Sequence, residues 1–144
     1  MSLKVQRLTE TAKLPTRNKS GDMGYDIYCD EDVHFNEPYT PIKTGIAIEL
    51  PEGYGAFLVG RSGLTSKTLY RVNLGVIDNG YRGELLVMNE LAYRSTSGEV
   101  PQFKQGDKIA QLVVLPIFDG EVVEVNALTV SDRGNKGFGS SGNQ

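Results

Sequence analysis

The sequence predicts an all-β protein: a sandwich or barrel of short strands, with one short helix and a glycine-rich C-terminal arm. Three observations carry that expectation. Apolar residues recur mostly at every second position, the period of a strand. The segments with this period are brief and bounded by Gly, Pro, Asn and Asp. Hardly any stretch has helical spacing, and many short strands with regular turns belong to sandwiches and barrels.

Taken in order, the candidate strands are 23–29, 42–50, 54–59, 72–77, 84–89, 108–115 and 121–125. The run 42–50 (IKTGIAIEL) is the clearest, with Ile42, Thr44, Ile46, Ile48 and Leu50 on one face. A short helix is expected over about 62–70. Between Ile77 and Glu84 stands DNGYRG, whose Asn-Gly pair is a strong signal for a tight hairpin, because both residues tolerate positive φ. The last twelve residues, RGNKGFGSSGNQ, are glycine-rich and polar. Such a tail is usually flexible, but it retains one Arg and one Phe. The expected organisation is one β domain over 1–132 followed by an arm over 133–144.

A chain of 144 residues is about one domain and is long enough to bury a core without disulfide staples. Hydrophobic residues at 39% and charged residues at 23% place it among globular rather than disordered chains. The net charge of −3 argues against long nucleic acid as a partner, which calls for a basic surface. It leaves room for a single nucleotide. One cysteine, Cys29, admits no internal disulfide and suits a reducing compartment. With one histidine, His34, in a turn-rich acidic stretch, a zinc site or a Ser-His-Asp arrangement is not expected. No apolar run approaches the ~20 residues of a membrane span, and the first residues lack the apolar core of a signal peptide. A cytoplasmic, soluble protein with no membrane partner is the expectation.

Five segments are too rich in Gly, Asp and Arg to be plain connectors. In MGYDIYC, Asp26 sits mid-strand, where carboxylates are disfavoured. On residues alone, a solvent-facing side chain is the better reading, and a carboxylate near a metal the sharper one. In GRSGLTSK, Arg61, Ser62 and Gly63 open the short helix. They make a phosphate site if its free N–H groups face outward, or Ser62 simply caps the helix. The segment LGVIDNGYRGELLV places Asp78 at the start of the expected hairpin, which with Tyr81 and Arg82 could hold a flat base and a sugar. Turn chemistry alone also accounts for an Asp there. In GDKIAQLVV, Gln111 falls within an apolar strand, where its amide needs a partner. In the tail, Arg133 and the glycines suit a phosphate-wrapping arm, and Phe138 is free to stack on a base. No Walker-type GxxxxGK[ST] is present.

In order, GYD, RSGL, GVIDxxYRG, GDxIAQL and RGxxGFGSxG resemble the five ordered motifs of the trimeric dUTPase family, over about residues 20–142. The resemblance implies a jelly-roll-like (β-clip) fold and a closed C3 homotrimer. It implies active sites at subunit junctions, each drawing on three chains, with the arm closing over bound nucleotide. It implies hydrolysis of dUTP to dUMP and pyrophosphate with Mg²⁺, which keeps uracil out of DNA and supplies dUMP for dTMP synthesis. Carried over position by position, Asp78 activates the attacking water and touches the 3′-OH. Tyr81 packs under the sugar and rejects a 2′-OH. Backbone groups around Gly75, Ile77 and Leu86 read uracil. Arg61, Ser62 and Gly63 cradle the phosphates, Gln111 bonds their α/β end, and Arg133 clamps the γ-phosphate. Phe138 stacks on uracil, while Gly139, Ser140 and Ser141 offer donors to the terminal phosphates. Asp26 lies near the metal and its waters. Mg²⁺ itself is held chiefly by the triphosphate and water.

The chain departs from the family pattern at Gly60, where Pro is usual, at Lys136, where a small residue is frequent, and at Ser141, where Thr is common. These bear on affinity and closure rather than on a reacting group. Two rival functions remain distinguishable. A dCTP deaminase shares part of the hairpin motif, but carries a Glu roughly where Met88 stands and tends to replace the Gly that is Gly63 here. A nucleotide-sensing binder would be expected to lose Asp78 or the arm.

Overall fold

The computed structural model describes residues 1–35, 40–93, 98–139 and 142. Its strands are β1 (Lys4–Arg7), β2 (Gly24–Tyr28), β3 (Ile42–Lys43), β4 (Ile46–Glu49), β5 (Tyr54–Val59), β6 (Tyr70–Val72), β7 (Gly75–Ile77), β8 (Leu86–Val87), β9 (Asn89–Leu91) and β10 (Lys108–Pro116). Among the described residues the one helix, α1 (Ser62–Lys67), follows β5. The largest sheet has the order β2-β10-β5-β7, and β1-β4, β3-β8 and β6-β9 form antiparallel pairs around it. None of these sheets closes into a barrel.

Ile42, Thr44, Ile46, Ile48 and Leu50 are all buried as expected, and so are Gly45 and Ala47 between them, so strict alternation is lost over 44–48. The run is two strands. It bends at Gly45, where φ is +66° and a Cβ would stand 2.5 Å from Asp30 Oδ2. The first half then pairs with β8 and the second with β1. The expected strands 72–77 and 84–89 are also each divided, into β6 and β7 and into β8 and β9. Strands that bend from one sheet to the next make the corners of a sandwich-like fold, and they enclose one core. Ile27, Ile46, Leu58, Leu85, Val87, Ile109 and Leu112 are fully buried within it.

Two expectations fail. Residues 79–80 do not form a tight positive-φ hairpin: neither Asn79 nor Gly80 has positive φ, and β7 pairs with β5 while β8 pairs with β3. Asn79 Nδ2 instead donates to the carbonyls of Pro51 (2.8 Å) and Tyr54 (2.9 Å), which ties this turn to the start of β5. Residues 121–125 are not a strand, and they pair with no other segment among the described residues. Every described residue from 116 to 139 is exposed.

The long central strand β10 carries an irregularity. Its register against β2 runs Gln111↔Asp26 and Ala110↔Ile27 and then shifts, so that Lys108 stands opposite Tyr28. The carbonyl of Ile109, inside this bulge, accepts a 3.0 Å hydrogen bond from the hydroxyl of Tyr70. Tyr70 is buried against Phe35 and Phe103, and burial, with Cys29 nearby, pushes its phenol far above the usual range. It therefore stays a proton donor. Tyr70→Phe leaves that carbonyl buried without its partner and is expected to cost about 1–3 kcal/mol. Urea unfolding measures this directly; an unchanged midpoint would show that the bulge does not depend on Tyr70.

Candidate functional site

Asp26 is central to a groove of about 380 Å³ where β2, β10 and the loop after β5 meet. In the sheet it stands opposite Gln111, which in turn is opposite Val59 of β5. Alternation alone makes Asp26 a solvent-facing carboxylate, but it is only 18% exposed and both oxygens are paired. Oδ1 accepts from Arg61 Nε at 3.0 Å, and Oδ2 lies 2.9 Å from Lys108 Nζ. Gln111 finds the partner its burial requires: Nε2 donates to the Gly60 carbonyl at 2.8 Å. That bond holds the loop where Gly60 departs from the family pattern. Gly24 makes room for the same amide, since a Cβ there would sit 2.1 Å from Gln111 Oε1.

Arg61 is the N-cap residue of α1, with extended backbone and no capping bond from its side chain. Ser62 is therefore the first helical residue and not the cap, which corrects that reading of the motif. Its hydroxyl makes no hydrogen bond to the described residues, and the Cα of Gly63 faces open space. Both line the groove beside Gln111. The first amides of a helix have no partner within it, so the loop offers N–H donors next to a guanidinium.

A second cluster lies on β7 and the turn beyond it. β7 is an edge of the four-stranded sheet, so the outer N–H and C=O groups of Gly75–Ile77 have no partner strand among the described residues. β8, which holds Leu86, likewise pairs on one side only. Asp78 follows β7 directly. It is exposed, and its carboxylate makes no hydrogen bond or ion pair with the described residues. The Tyr81 hydroxyl donates to the Glu84 carbonyl at 2.9 Å, and its ring lies against Gly83, where a Cβ would come within 2.6 Å of the hydroxyl. Tyr81 thus has a fixed orientation beside Asp78. Arg82 points elsewhere: it donates to the carbonyls of Asn79 and Tyr81 and pairs with Glu49.

These two clusters lie at opposite ends of β5. Ile77 is opposite Ala56, which places Asp78 level with Gly55. Arg61 is six residues further on, or about 20 Å at the rise of a strand. The third expected group, the arm, stands apart from both. Phe138 is fully exposed, and Arg133 donates only to carbonyls of its own arm, those of Lys136 and Gly137. Gly139 has φ +82°. Ser140 and Ser141 lie outside the described residues.

Among the described residues no three His, Cys, Asp or Glu side chains gather as a metal cage. A cation brought in by a polyphosphate needs no such cage. Each oxygen of Asp26 keeps a lone pair for a metal-bound water beyond its ion pair, so the donor set fits a magnesium ion held through its waters. Of the remaining candidates, His34 is exposed and Cys29 is buried, its thiol donating to the Lys104 carbonyl. No helix among the described residues is long and apolar enough to cross a membrane.

Comparison with known proteins gives a consistent result. The family model for dUTPase matches residues 10–142. A deoxyuridine 5′-triphosphate nucleotidohydrolase of Hydrogenobaculum sp. (strain Y04AAS1) is 41% identical over 146 residues, covering 99% of each chain. The human mitochondrial deoxyuridine 5′-triphosphate nucleotidohydrolase is 40% identical, over 99% of this chain and 55% of its own. The dUTPase of Staphylococcus bacteriophage 80alpha, solved with dUpNHpp, superposes with a TM-score of 0.85 at 35% identity and covers 98% of both chains. A mutant dUTPase from phage phi11 of S. aureus, described for its coordination of a structural Mg(II) ion, gives a TM-score of 0.79 at 33% identity, over 90% of this chain and 100% of that one. With these neighbours the all-β architecture is the jelly-roll-like one.

Proposed function

The chain belongs to the dUTPase family, and we propose that it hydrolyses dUTP to dUMP and pyrophosphate, limiting uracil in DNA and supplying dUMP for dTMP synthesis. The observation that carries this reading is Asp78: an exposed carboxylate without a partner among the described residues, at the end of an edge strand and beside an oriented Tyr81. A carboxylate left out of every structural bond is available as a general base. Uracil is read by the free backbone edges at Gly75, Ile77 and Leu86. Fixed donors and acceptors match uracil and mismatch cytosine, and unpaired polar groups are penalised heavily. Tyr81 packs under the deoxyribose and leaves no room for a 2′-OH.

The working enzyme is a homotrimer. In support, about 20 Å separates Asp78 from Arg61 along β5, too far for one triphosphate-bearing nucleotide to meet both within a protomer in the manner proposed. A second copy supplies Arg61, Ser62, Gly63 and Gln111 opposite the first copy's Asp78. A third lends the arm over 133–144, which closes on the 1–132 domain. Val122, Val125, Leu128 and Val130 are strongly exposed apolar residues leading into that arm. A run of this kind on a soluble chain suits an interface.

In the reaction Asp78 takes a proton from a water aligned with the α-phosphorus. The new P–O bond forms in line as the bond to the bridging oxygen breaks, and pyrophosphate leaves with its charge on Arg61, Arg133 and the amides at Ser62 and Gly63. Phe138 stacks over uracil, while Gly139, Ser140 and Ser141 hold the terminal phosphates and exclude water. Mg²⁺, when bound, would offset the charge of the triphosphate and help fix its shape, and Asp26 would hold it through water. The remaining catalysis rests on positioning. The chain acts on a free nucleotide in the cytoplasm, without nucleic acid or membrane.

Pyrophosphate release from dUTP, dCTP, dTTP and UTP, first with Mg²⁺ and then with EDTA, tests the reading. The expected outcome is turnover of dUTP alone, at least a hundredfold above the other three and abolished by EDTA. Tight dUTP binding without turnover would make the protein a sensor instead.

A further inference from the structure

Lys108 touches the groove's machinery without lining the groove itself. Regular alternation would set it on the opposite face of β10 from Gln111, because the two are three residues apart. Yet Gln111 is opposite Asp26, and Lys108 is opposite Tyr28. Asp26 and Tyr28 are two apart and share a face, and residues directly opposite share it too. The bulge between Lys108 and Ala110 supplies the extra residue that turns Lys108 round. Ile109 and Ala110 are both fully buried there, and Tyr70 secures the Ile109 carbonyl.

The consequence is a chain of charges. Lys108 Nζ occupies Oδ2 of Asp26, and Oδ1 is left to Arg61 Nε. The two terminal nitrogens of Arg61 make no hydrogen bond with the described residues, and Arg61 lines the groove. An arginine beside a bare carboxylate tends to fork both of its oxygens. We propose that Lys108 is a positioning residue: by holding Oδ2, it limits Arg61 to one contact with Asp26 and frees both terminal nitrogens for a phosphate group. Removing the ammonium lets the guanidinium turn onto Asp26 and takes one positive charge away from the side of the groove. Both changes weaken anion binding. The inference rests on the reading of this groove as the phosphate side of the site.

Lys108→Met, Lys108→Gln and Lys108→Arg in the full chain test it, with steady-state dUTP hydrolysis and calorimetric binding of inorganic tripolyphosphate. The two neutral variants are expected to raise KM for dUTP about tenfold, the scale of one charge-assisted contact, with kcat within about twofold. Tripolyphosphate binding should weaken by a similar factor, and Lys108→Arg should restore both. Unchanged KM and tripolyphosphate affinity, a loss in kcat alone, an equal loss in Lys108→Arg, or a wild type that does not bind tripolyphosphate would each overturn the proposal. A wild type inactive on dUTP, with tripolyphosphate binding still dependent on Lys108, would remove the dUTPase reading and sustain this one.

Discussion

Asp78→Asn is expected to leave a folded protein that binds dUTP normally and turns it over on the order of a thousandfold more slowly, the middle of the range for a positioned general base. The structural argument is that folding does not use this carboxylate. Asp78 is exposed and makes no hydrogen bond or ion pair with the described residues. The hydrogen bond that closes its turn comes from the Tyr81 amide to the Asp78 backbone carbonyl at 3.0 Å, which the substitution keeps. An amide of the same shape still orients a water but cannot take its proton. A thousandfold loss is about 4 kcal/mol of transition-state stabilisation. Single-turnover kinetics beside binding of a non-hydrolysable dUTP analogue separate the two effects. An unchanged kcat would remove Asp78 from the mechanism. Asp26→Asn has no such clean outcome, because that carboxylate holds both Arg61 and Lys108.

Ending the chain at Asp132 should lower kcat/KM on the order of a hundredfold while the thermal midpoint and oligomeric state stay the same. No hydrogen bond ties the side chains of Arg133 or Phe138 to the described residues of the body, and Phe138 is fully exposed. Every described residue of the arm is exposed, so none of them belongs to the core. It does remove Arg133, and one charge-assisted bond to phosphate contributes about 1.5–3 kcal/mol. Loss of the stacking ring adds to that. Steady-state kinetics and sedimentation of the shortened chain check both halves of the expectation. A truncated protein that aggregates or sediments as a monomer would make the arm architectural first.

Local pattern was enough for much of the fold. Tyr54–Val59 is a strand with the expected bounds, and the five alternating residues from Ile42 to Leu50 are all buried. It misled where pairing is decided at a distance. The Asn-Gly pair is a hairpin signal only if its flanking strands have nothing better to do. Here Asn79 is bound by Pro51 and Tyr54, and the two flanks join different neighbours. The first strand, Lys4–Arg7, escaped notice because only Val5 of its four residues is even partly buried, which leaves no alternation to read. Residues 121–125 have the composition of a strand and no pairing strand among the described residues.

The candidate site divides in the same way. The order of five short motifs determined the family, and with it Asp78, Arg61 and Gln111 as residues to examine; that information is one-dimensional and survives any arrangement of the strands. Tertiary structure decided what the motifs do to one another. It paired Asp26 with two cations, left Asp78 unpaired, and set the two clusters about 20 Å apart along one strand. It also brought Lys108 to the face of Gln111. The physical reason is that a side chain's direction follows from counting along a strand only while the register is regular. One inserted residue reverses the count, and whether it is inserted depends on what packs behind it: here Tyr70, thirty-nine positions away in sequence from the carbonyl it holds.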